Sequence, residues 1–391
     1  MSKIGLCIQF EGINNYGTVL QAYATKYTVD SLKYSSKLIR YRRDYSVKFI
    51  LSQIPRLFER GNLKGMLRNN KRKHDLEDSS VFREYMETSK ISFSEFRNTY
   101  FPKELIDEYV GFKNLKKNSI NYDAFIVGSD QLWLPAGLRT NFYNLNFVNK
   151  SVKKISYATS FGVSEIPKNH FKATRDYLKR IDYLSVREIA GQRIIKDLTG
   201  RDAYLACDPV LLLTEQEWSQ FCDRVEKIDN VQSGKYLLCY FLGGSEDARC
   251  AAEKIAKNNN LKLVAIKYME DYFVADDSFG EICPKGISPE QFVYLIKNAG
   301  CVMTDSFHGL VFSVIFNKPF LTTYRFSNQS KMSKNSRIDS ILAKFGLSDR
   351  LYTDGDPVEQ MLSQIDYNKV NEIKGQWRLE SIDFLKKALE D

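Results

Sequence analysis

Short apolar runs that end in polar turns and then give way to amphipathic helical stretches recur along this chain, and that alternation restricts it to an α/β fold with parallel sheets. The first such unit is an apolar run from Ile4 to Phe10, the loop Glu11-Gly12-Ile13-Asn14-Asn15-Tyr16-Gly17, a helix from about Thr18 to Leu32 and a second strand near Lys37–Tyr41. This is a β-α-β pattern. From about Ser46 to Asn121 the sequence turns polar and helical without an evident strand, which predicts a helical insertion. Strands resume at Ala124–Val127 and Ile155–Ala158, followed by a helix near Lys168–Arg180, a strand at Tyr183–Val186 and a helix over Glu188–Thr199. Asp208-Pro209 marks a change of unit, because the residue before proline is driven out of the helical region. Beyond it, strands at Tyr236–Phe241, Lys262–Ile266, Val302–Thr304 and Phe320–Thr323 alternate with helices near Glu246–Asn258, Pro289–Asn298, Leu310–Asn317 and Ile338–Phe345.

A chain of 391 residues is long for one core and suits two. The expected organisation is a Rossmann-like domain over 1–207 with its insertion at about 46–121, a second over 208–370, and a helix over 371–391 packing back on the first. The two domains would face each other across a cleft.

Composition narrows the chemistry. Seven cysteines without a C-x-x-C pair fit neither a disulfide framework nor a zinc site, and suggest reduced thiols in the cytoplasm. His74, His170 and His308 are far apart and show no metal-ligand spacing, so no metal and no cofactor is expected. The opening Met1-Ser2-Lys3-Ile4-Gly5 runs directly into a strand without a cleavable apolar segment, which also predicts a cytoplasmic protein. No apolar run approaches the roughly 18 residues that span a bilayer. The net charge of +9 is concentrated between Arg56 and Lys73, where seven basic residues face the single acid Glu59. That stretch reads either as a solvated helical face or as a peripheral contact with anionic lipid or a phosphate-bearing acceptor. No nucleic-acid motif accompanies it.

The residues that could carry chemistry sit where strands end. His308, in Thr304-Asp305-Ser306-Phe307-His308-Gly309, follows a strand and precedes a helix, where unpaired N–H groups favour anions; it reads as an active-site residue or as a helix cap. Asn15, Tyr16 and Gly17 occupy the first strand–helix turn and suit either a ligand or the turn itself. Asp130, in Gly128-Ser129-Asp130-Gln131-Leu132-Trp133, could accept a proton or cap a helix. Arg187, in Ser185-Val186-Arg187-Glu188, offers a planar fork for carboxylate or phosphate unless Glu188 neutralises it. Gly243 and Gly244 end a strand and could cradle phosphate, and the basic loop from Tyr324 to Arg337, with Lys334, reads as an anion-binding lid or a linker.

Taken together, Asn15-Tyr16-Gly17-Thr18-Val19-Leu20-Gln21-Ala22-Tyr23, Gly128-Ser129-Asp130-Gln131-Leu132-Trp133, Ser185-Val186-Arg187-Glu188, Asp208-Pro209-Val210-Leu211-Leu212 and Asp305-Ser306-Phe307-His308-Gly309 resemble the successive landmarks of the polysaccharide pyruvyl transferase family. The resemblance runs from about residue 4 to 345. It implies a GT-B-like fold and transfer of a pyruvyl group from phosphoenolpyruvate, as donor substrate, to a sugar of a surface polysaccharide or its precursor, which could be lipid-linked. It also implies His308, Asp130 and Arg187 as catalytic residues, with Asn15, Tyr16, Gly17, Ser129, Gly243, Gly244, Ser306, Lys334 and Arg337 around the substrates. His308 would be the acid, Asp130 the base or orienting group, and Arg187 the anion holder, with acid and base roles exchangeable. Ser306 stands where some family members have arginine, so Lys334 or Arg337 would supply that anion contact. The competing readings are a GT-B glycosyltransferase using a nucleotide sugar and a glycan-binding protein without turnover.

Overall fold

Two five-stranded parallel sheets lie in chain order, each at the centre of one half of the molecule. The computed structural model describes residues 2–44, 80–135, 138, 141–271, 273–325, 335–358 and 364–391. The basic segment 56–73, Lys334 and most of the polar loop before it lie outside those residues.

The first half runs β1 (Lys3–Cys7), α1 (Tyr16–Ser31), β2 (Ser35–Arg42), α2 (Ser80–Tyr100), β3 (Ile106–Val110), α3 (Phe112–Asn118), β4 (Ala124–Val127) and β5 (Lys153–Ser156). Then come α4 (Phe171–Leu178), β6 (Ser185–Val186), α5 (Ile189–Thr199) and β7 (Tyr204–Leu205). The sheet order is β3-β2-β1-β4-β5, and β6 and β7 continue it through bridges Ile155↔Tyr183 and Thr159↔Val186. The second half runs α6 (Glu215–Cys222), β8 (Tyr236–Tyr240), α7 (Glu246–Asn258), β9 (Lys262–Ile266), α8 (Pro289–Asn298) and β10 (Cys301–Thr304). It closes with α9 (Phe307–Ile315), β11 (Phe320–Thr323), α10 (Ser336–Phe345), β12 (Leu351–Tyr352) and α11 (Tyr367–Glu390). Its sheet order is β12-β11-β10-β8-β9. These are two Rossmann-like sheets, as the strand–helix alternation predicts, in the GT-B-like arrangement that the family resemblance implies.

Strands covered on both faces read as unbroken apolar runs, and β4, β8, β10 and β11 are buried along their whole length. β3 is different and corrects the expectation of a strandless insertion over 46–121. It pairs with β2 at the sheet edge, its Ile-Asp-Glu-Tyr-Val sequence is half exposed, and charged edge strands carry little hydrophobic signal. The start of α9 also differs. Ser306 caps it through a bond from the Gly309 N–H, so His308 lies in its first turn rather than before a helix opening at Leu310.

The two halves share an apolar core. Tyr16, at the start of α1, stacks on Phe292 of α8 with centroids 4.3 Å apart and rings 4° from parallel, and meets Tyr240 edge-on. Its hydroxyl donates to the Ile287 carbonyl at 3.0 Å. Helix α2 adds a second crossing, with the Tyr85 hydroxyl donating to the Cys283 carbonyl at 2.7 Å. Helix α11 returns to the first half, where Trp377 Nε1 donates to the Leu205 carbonyl at 2.9 Å and Ser381 Oγ accepts from the Cys207 N–H. Among the described residues, no helix is long and apolar enough to cross a membrane.

Tyr16→Ala is expected to cost about 3–5 kcal/mol by deleting a buried aromatic, and Tyr16→Phe about 1 kcal/mol by deleting one hydrogen bond. Urea unfolding of both variants checks this; near-native stability of Tyr16→Ala would mean that the ring is not what joins the halves.

Candidate active site

In parallel α/β sheets, ligands bind beyond the carboxyl ends of the strands where the strand order reverses. Here that point lies between β1 and β4 in the first sheet and between β8 and β10 in the second. The loops leaving these four strands line one cavity of about 290 Å³: Ile13 and Asn15 after β1, Asp130 and Gln131 after β4, Leu242 after β8, and Asp305 to His308 after β10. Arg325 after β11, and Asn335 and Arg337 at the start of α10, close it.

Helix starts meet here. Asn15 caps α1 by accepting from the Thr18 N–H at 3.2 Å, and Ser306 caps α9. The N–H groups of Phe307 and His308 make no hydrogen bond among the described residues, so the first turn of α9 presents donors to the cavity. Gly17 is required by close approach: a Cβ there would lie 1.9 Å from His308 Nδ1. The imidazole of the second half therefore rests on the backbone of α1 in the first. Its Nε2 is buried without a hydrogen bond and stands 3.7 Å from Asp208 Oδ2.

Arg187 lies beneath this assembly with 1% of its side chain exposed. Its Nη1 donates to Asp208 Oδ2 at 2.7 Å and its Nη2 to Asp130 Oδ1 at 3.2 Å, while Nε stands 3.8 Å from Glu188 Oε2. Burial alone would lower its pKa, but the carboxylates of Asp208, Asp130 and Glu188 hold it above the ordinary arginine value. Arg187 does not line the cavity. Its expected role as holder of the donor anion gives way to a positioning role, because its fork is already turned to carboxylates of the protein.

Arg337 is the contrasting cation. It lines the cavity, and its Nε is buried without a hydrogen bond. Burial and the neighbouring Arg187 push its pKa down to about 10, against the pull of Asp130, Glu188 and Asp208, so it stays charged at neutral pH. The Phe307 ring lies near both guanidinium groups, 4.8 Å from that of Arg187 and 5.6 Å from that of Arg337.

The carboxylates divide by environment. Burial would raise Asp208, yet His308, Arg187 and the Val210 N–H hold it well below the usual carboxylate range. Burial likewise opposes ionisation of Asp130, but Arg187, His308 and Arg337 overbalance it and keep its pKa low. Asp130 has φ +66°, a left-handed conformation that aspartate tolerates better than most residues, and its Oδ2 accepts from Thr18 Oγ1 at 3.1 Å. Asp305 goes the other way. Burial pushes it up to about 6, although the Leu242 and Gly243 N–H groups donate to it at 2.5 and 2.8 Å and Arg325 is near.

Of the residues named from sequence, His308, Asp130, Asn15, Ser306 and Arg337 line the cavity, and Gly17 supports it. Tyr16 belongs to the interdomain stack. Ser129 is buried, its hydroxyl donating to the Ala158 carbonyl and 3.3 Å from Asp208 Oδ2. Gly243 touches Asp305 and Arg325, and Gly244 packs on Phe273. Lys334 lies outside the described residues. Sequence reasoning did not single out Asp208, Asp305, Thr18, Gln131 and Arg325 as site residues; the signal available was that all five sit inside the segments already marked. Among the described residues, no group of three His, Cys, Asp or Glu side chains is placed to hold a metal.

A family model described as polysaccharide pyruvyl transferase matches residues 15–325. No curated protein sequence matches the chain. Among solved structures, UDP-N-acetylglucosamine 2-epimerase from Rickettsia bellii aligns with TM-score 0.51 and 10% identity over 100% of this chain and 97% of its own. The E. coli heptosyltransferase WaaC with ADP-2-deoxy-2-fluoro heptose aligns with TM-score 0.38 and 12% identity over 96% and 99%. At that identity, the epimerase likeness establishes the fold alone.

Two outcomes follow from the geometry. Gly17→Ala should force the His308 ring away, costing about 1–3 kcal/mol by overpacking and about 10²-fold in turnover by misplacement. The added His308→Ala should restore the stability and not the turnover, as thermal melts and rates would register. For Asp305, whose folded pKa is raised, the stabilising contribution is complete below the unfolded value near 4 and is lost as pH rises to about 6. Unfolding free energies of the wild type should fall by on the order of 3 kcal/mol across that window relative to Asp305→Asn. Parallel pH profiles would mean that the carboxyl titrates normally.

Proposed function

The chain belongs to the polysaccharide pyruvyl transferase family and is a transferase, and from that premise we propose that its cavity binds phosphoenolpyruvate and transfers the pyruvyl group to a saccharide as a ketal. The observation that carries this reading is Arg337, a cation whose buried Nε has no partner, beside the open N–H groups at the start of α9 and within one cavity with His308. A small polyanion is the ligand such a set of donors favours.

Ketal formation needs four events at the donor. The methylene carbon gains a proton, one acceptor oxygen bonds to C2 and loses its proton, the C2–O bond to phosphate breaks, and a second acceptor oxygen bonds to C2 and loses its proton. The leaving phosphate takes the electron pair of the broken bond. His308 is the proposed proton donor, since a proton on its Nε2 has the Asp208 carboxylate 3.7 Å away as counter-charge. Asp130, held ionised and fixed by Arg187, Thr18 and the Gln131 N–H, orients the acceptor hydroxyl and accepts its proton as the bond to C2 forms. Arg337 and the α9 amides hold phosphate or carboxylate, and Arg187 positions Asp130 and Asp208.

The test separates these roles. Calorimetric titration with phosphoenolpyruvate is expected to detect binding to the wild type and to weaken roughly ten- to hundredfold in Arg337→Ala, the loss of a charge-assisted contact. His308→Ala should keep donor affinity within a few-fold while phosphate release in the presence of a crude glycan preparation drops about 10²–10⁴-fold. No binding of phosphoenolpyruvate together with binding of a nucleotide sugar would replace this reading with that of a glycosyltransferase.

A further inference from the structure

A second cavity, of about 380 Å³, opens at the carboxyl ends of β1 and β2, where residues 8–12 line it while residues 13 and 15 of the same loop line the first. Its wall carries the rings of Tyr41 and Phe142, stacked with centroids 5.5 Å apart and 27° between planes, and beside them Tyr143. Its polar side chains, besides the Tyr41 and Tyr143 hydroxyls, are Gln9, Glu11, Arg40 and Arg43. Arg40 grips Glu11 with both Nε, at 2.8 Å, and Nη2, and reaches Glu108 with Nη1 at 3.1 Å. Two carboxylates thus engage the Arg40 guanidinium, Glu108 being shared with Arg42 at 3.2 Å, whereas the Arg337 Nε of the first cavity is buried without a hydrogen bond. What it offers is aromatic surface next to carboxylate and amide oxygens with lone pairs to spare. That combination suits an uncharged pyranose, whose C–H face packs on a ring while its hydroxyls bond to the polar edge.

The two cavities are joined by shared supports. Gln21 Nε2 donates to the Gln9 carbonyl at 3.1 Å, and Gln21 Oε1 accepts from the Ser129 N–H at 3.2 Å, so one side chain ties the floor of the second cavity to the loop that carries Asp130. Trp133 Nε1 donates to the Tyr143 carbonyl at 3.0 Å, and the Tyr143 hydroxyl bonds to Gln9 Oε1. The Tyr143 hydroxyl is raised well above its ordinary pKa, first by burial and then by Cys7, Asp130 and Glu11.

We propose that this second cavity is the acceptor subsite, holding an uncharged pyranose residue so that a hydroxyl pair points past Tyr143 to Asp130. The assignment rests on the pyruvyl-transfer reading for the word acceptor, but saccharide binding here is measurable without it. Saturation-transfer NMR with the methyl pyranosides of galactose, glucose and mannose is the probe. At least one should receive saturation from the wild type, with the signal reduced fivefold or more in Glu11→Gln and in Tyr143→Phe and unchanged in Arg337→Ala. Phosphoenolpyruvate titration of the same proteins should give the opposite pattern, which also reports that the Glu11 and Tyr143 variants are folded. Absence of transfer to all three pyranosides, or transfer that survives both substitutions, overturns the subsite. Pyranoside binding that depends on Glu11 and Tyr143, in a protein that ignores phosphoenolpyruvate, upholds the saccharide site and removes the donor reading instead.

Discussion

A buried guanidinium shared between carboxylates is the constraint on which the rest of the site depends. Arg187 cannot be left uncompensated without a penalty of about 3–5 kcal/mol, so its contacts with Asp208 and Asp130 and the proximity of Glu188 are mutually required. Each carboxylate then organises something further. Asp208 faces His308 of the second half, Asp130 faces the cavity, and Glu188 accepts from Ser160 and the Phe161 N–H below. Phe307 lies across the same guanidinium, which ties the start of α9 to the first half.

The contrast with Arg337 gives the site its polarity. Two arginines lie near one phenylalanine ring, and each has a buried Nε without a hydrogen bond, yet Arg187 spends both terminal nitrogens on protein carboxylates while Arg337 lines the cavity. A cation already paired holds side chains in place, whereas one left unpaired at a cavity wall favours an incoming anion. Asp305 completes the division, since its carboxyl binds the amides after β8 while its own burial resists ionisation.

Much of this was legible in the sequence, for a physical reason. Strands buried on both faces, such as β8 and β10, announce themselves as apolar runs, and loops at their carboxyl ends were the right places to look. His308, Asp130, Asn15 and Arg337, named from such loops, line the cavity. The edge strand β3 was missed because half its side chains face solvent. Tyr16 was read as a ligand contact because local pattern cannot distinguish a turn residue facing a cavity from one stacked on a distant helix. For Arg187 the sequence offers an anion-holding fork or one neutralised by Glu188, because pairing with Asp208, 21 residues later, and Asp130, 57 residues earlier, exists only in three dimensions. Gly17 carried its signal as a glycine, but its cause, the imidazole of residue 308, lies in the other half of the chain.

The most direct measurement is a crystal structure of the phosphoenolpyruvate complex. The account requires the donor in the cavity between the sheets, one of its anionic groups within hydrogen-bond distance of Arg337 and of the Phe307 and His308 N–H groups, with Arg187 still bonded to Asp130 and Asp208. A donor anion bound to Arg187, with those carboxylate contacts broken, would contradict it.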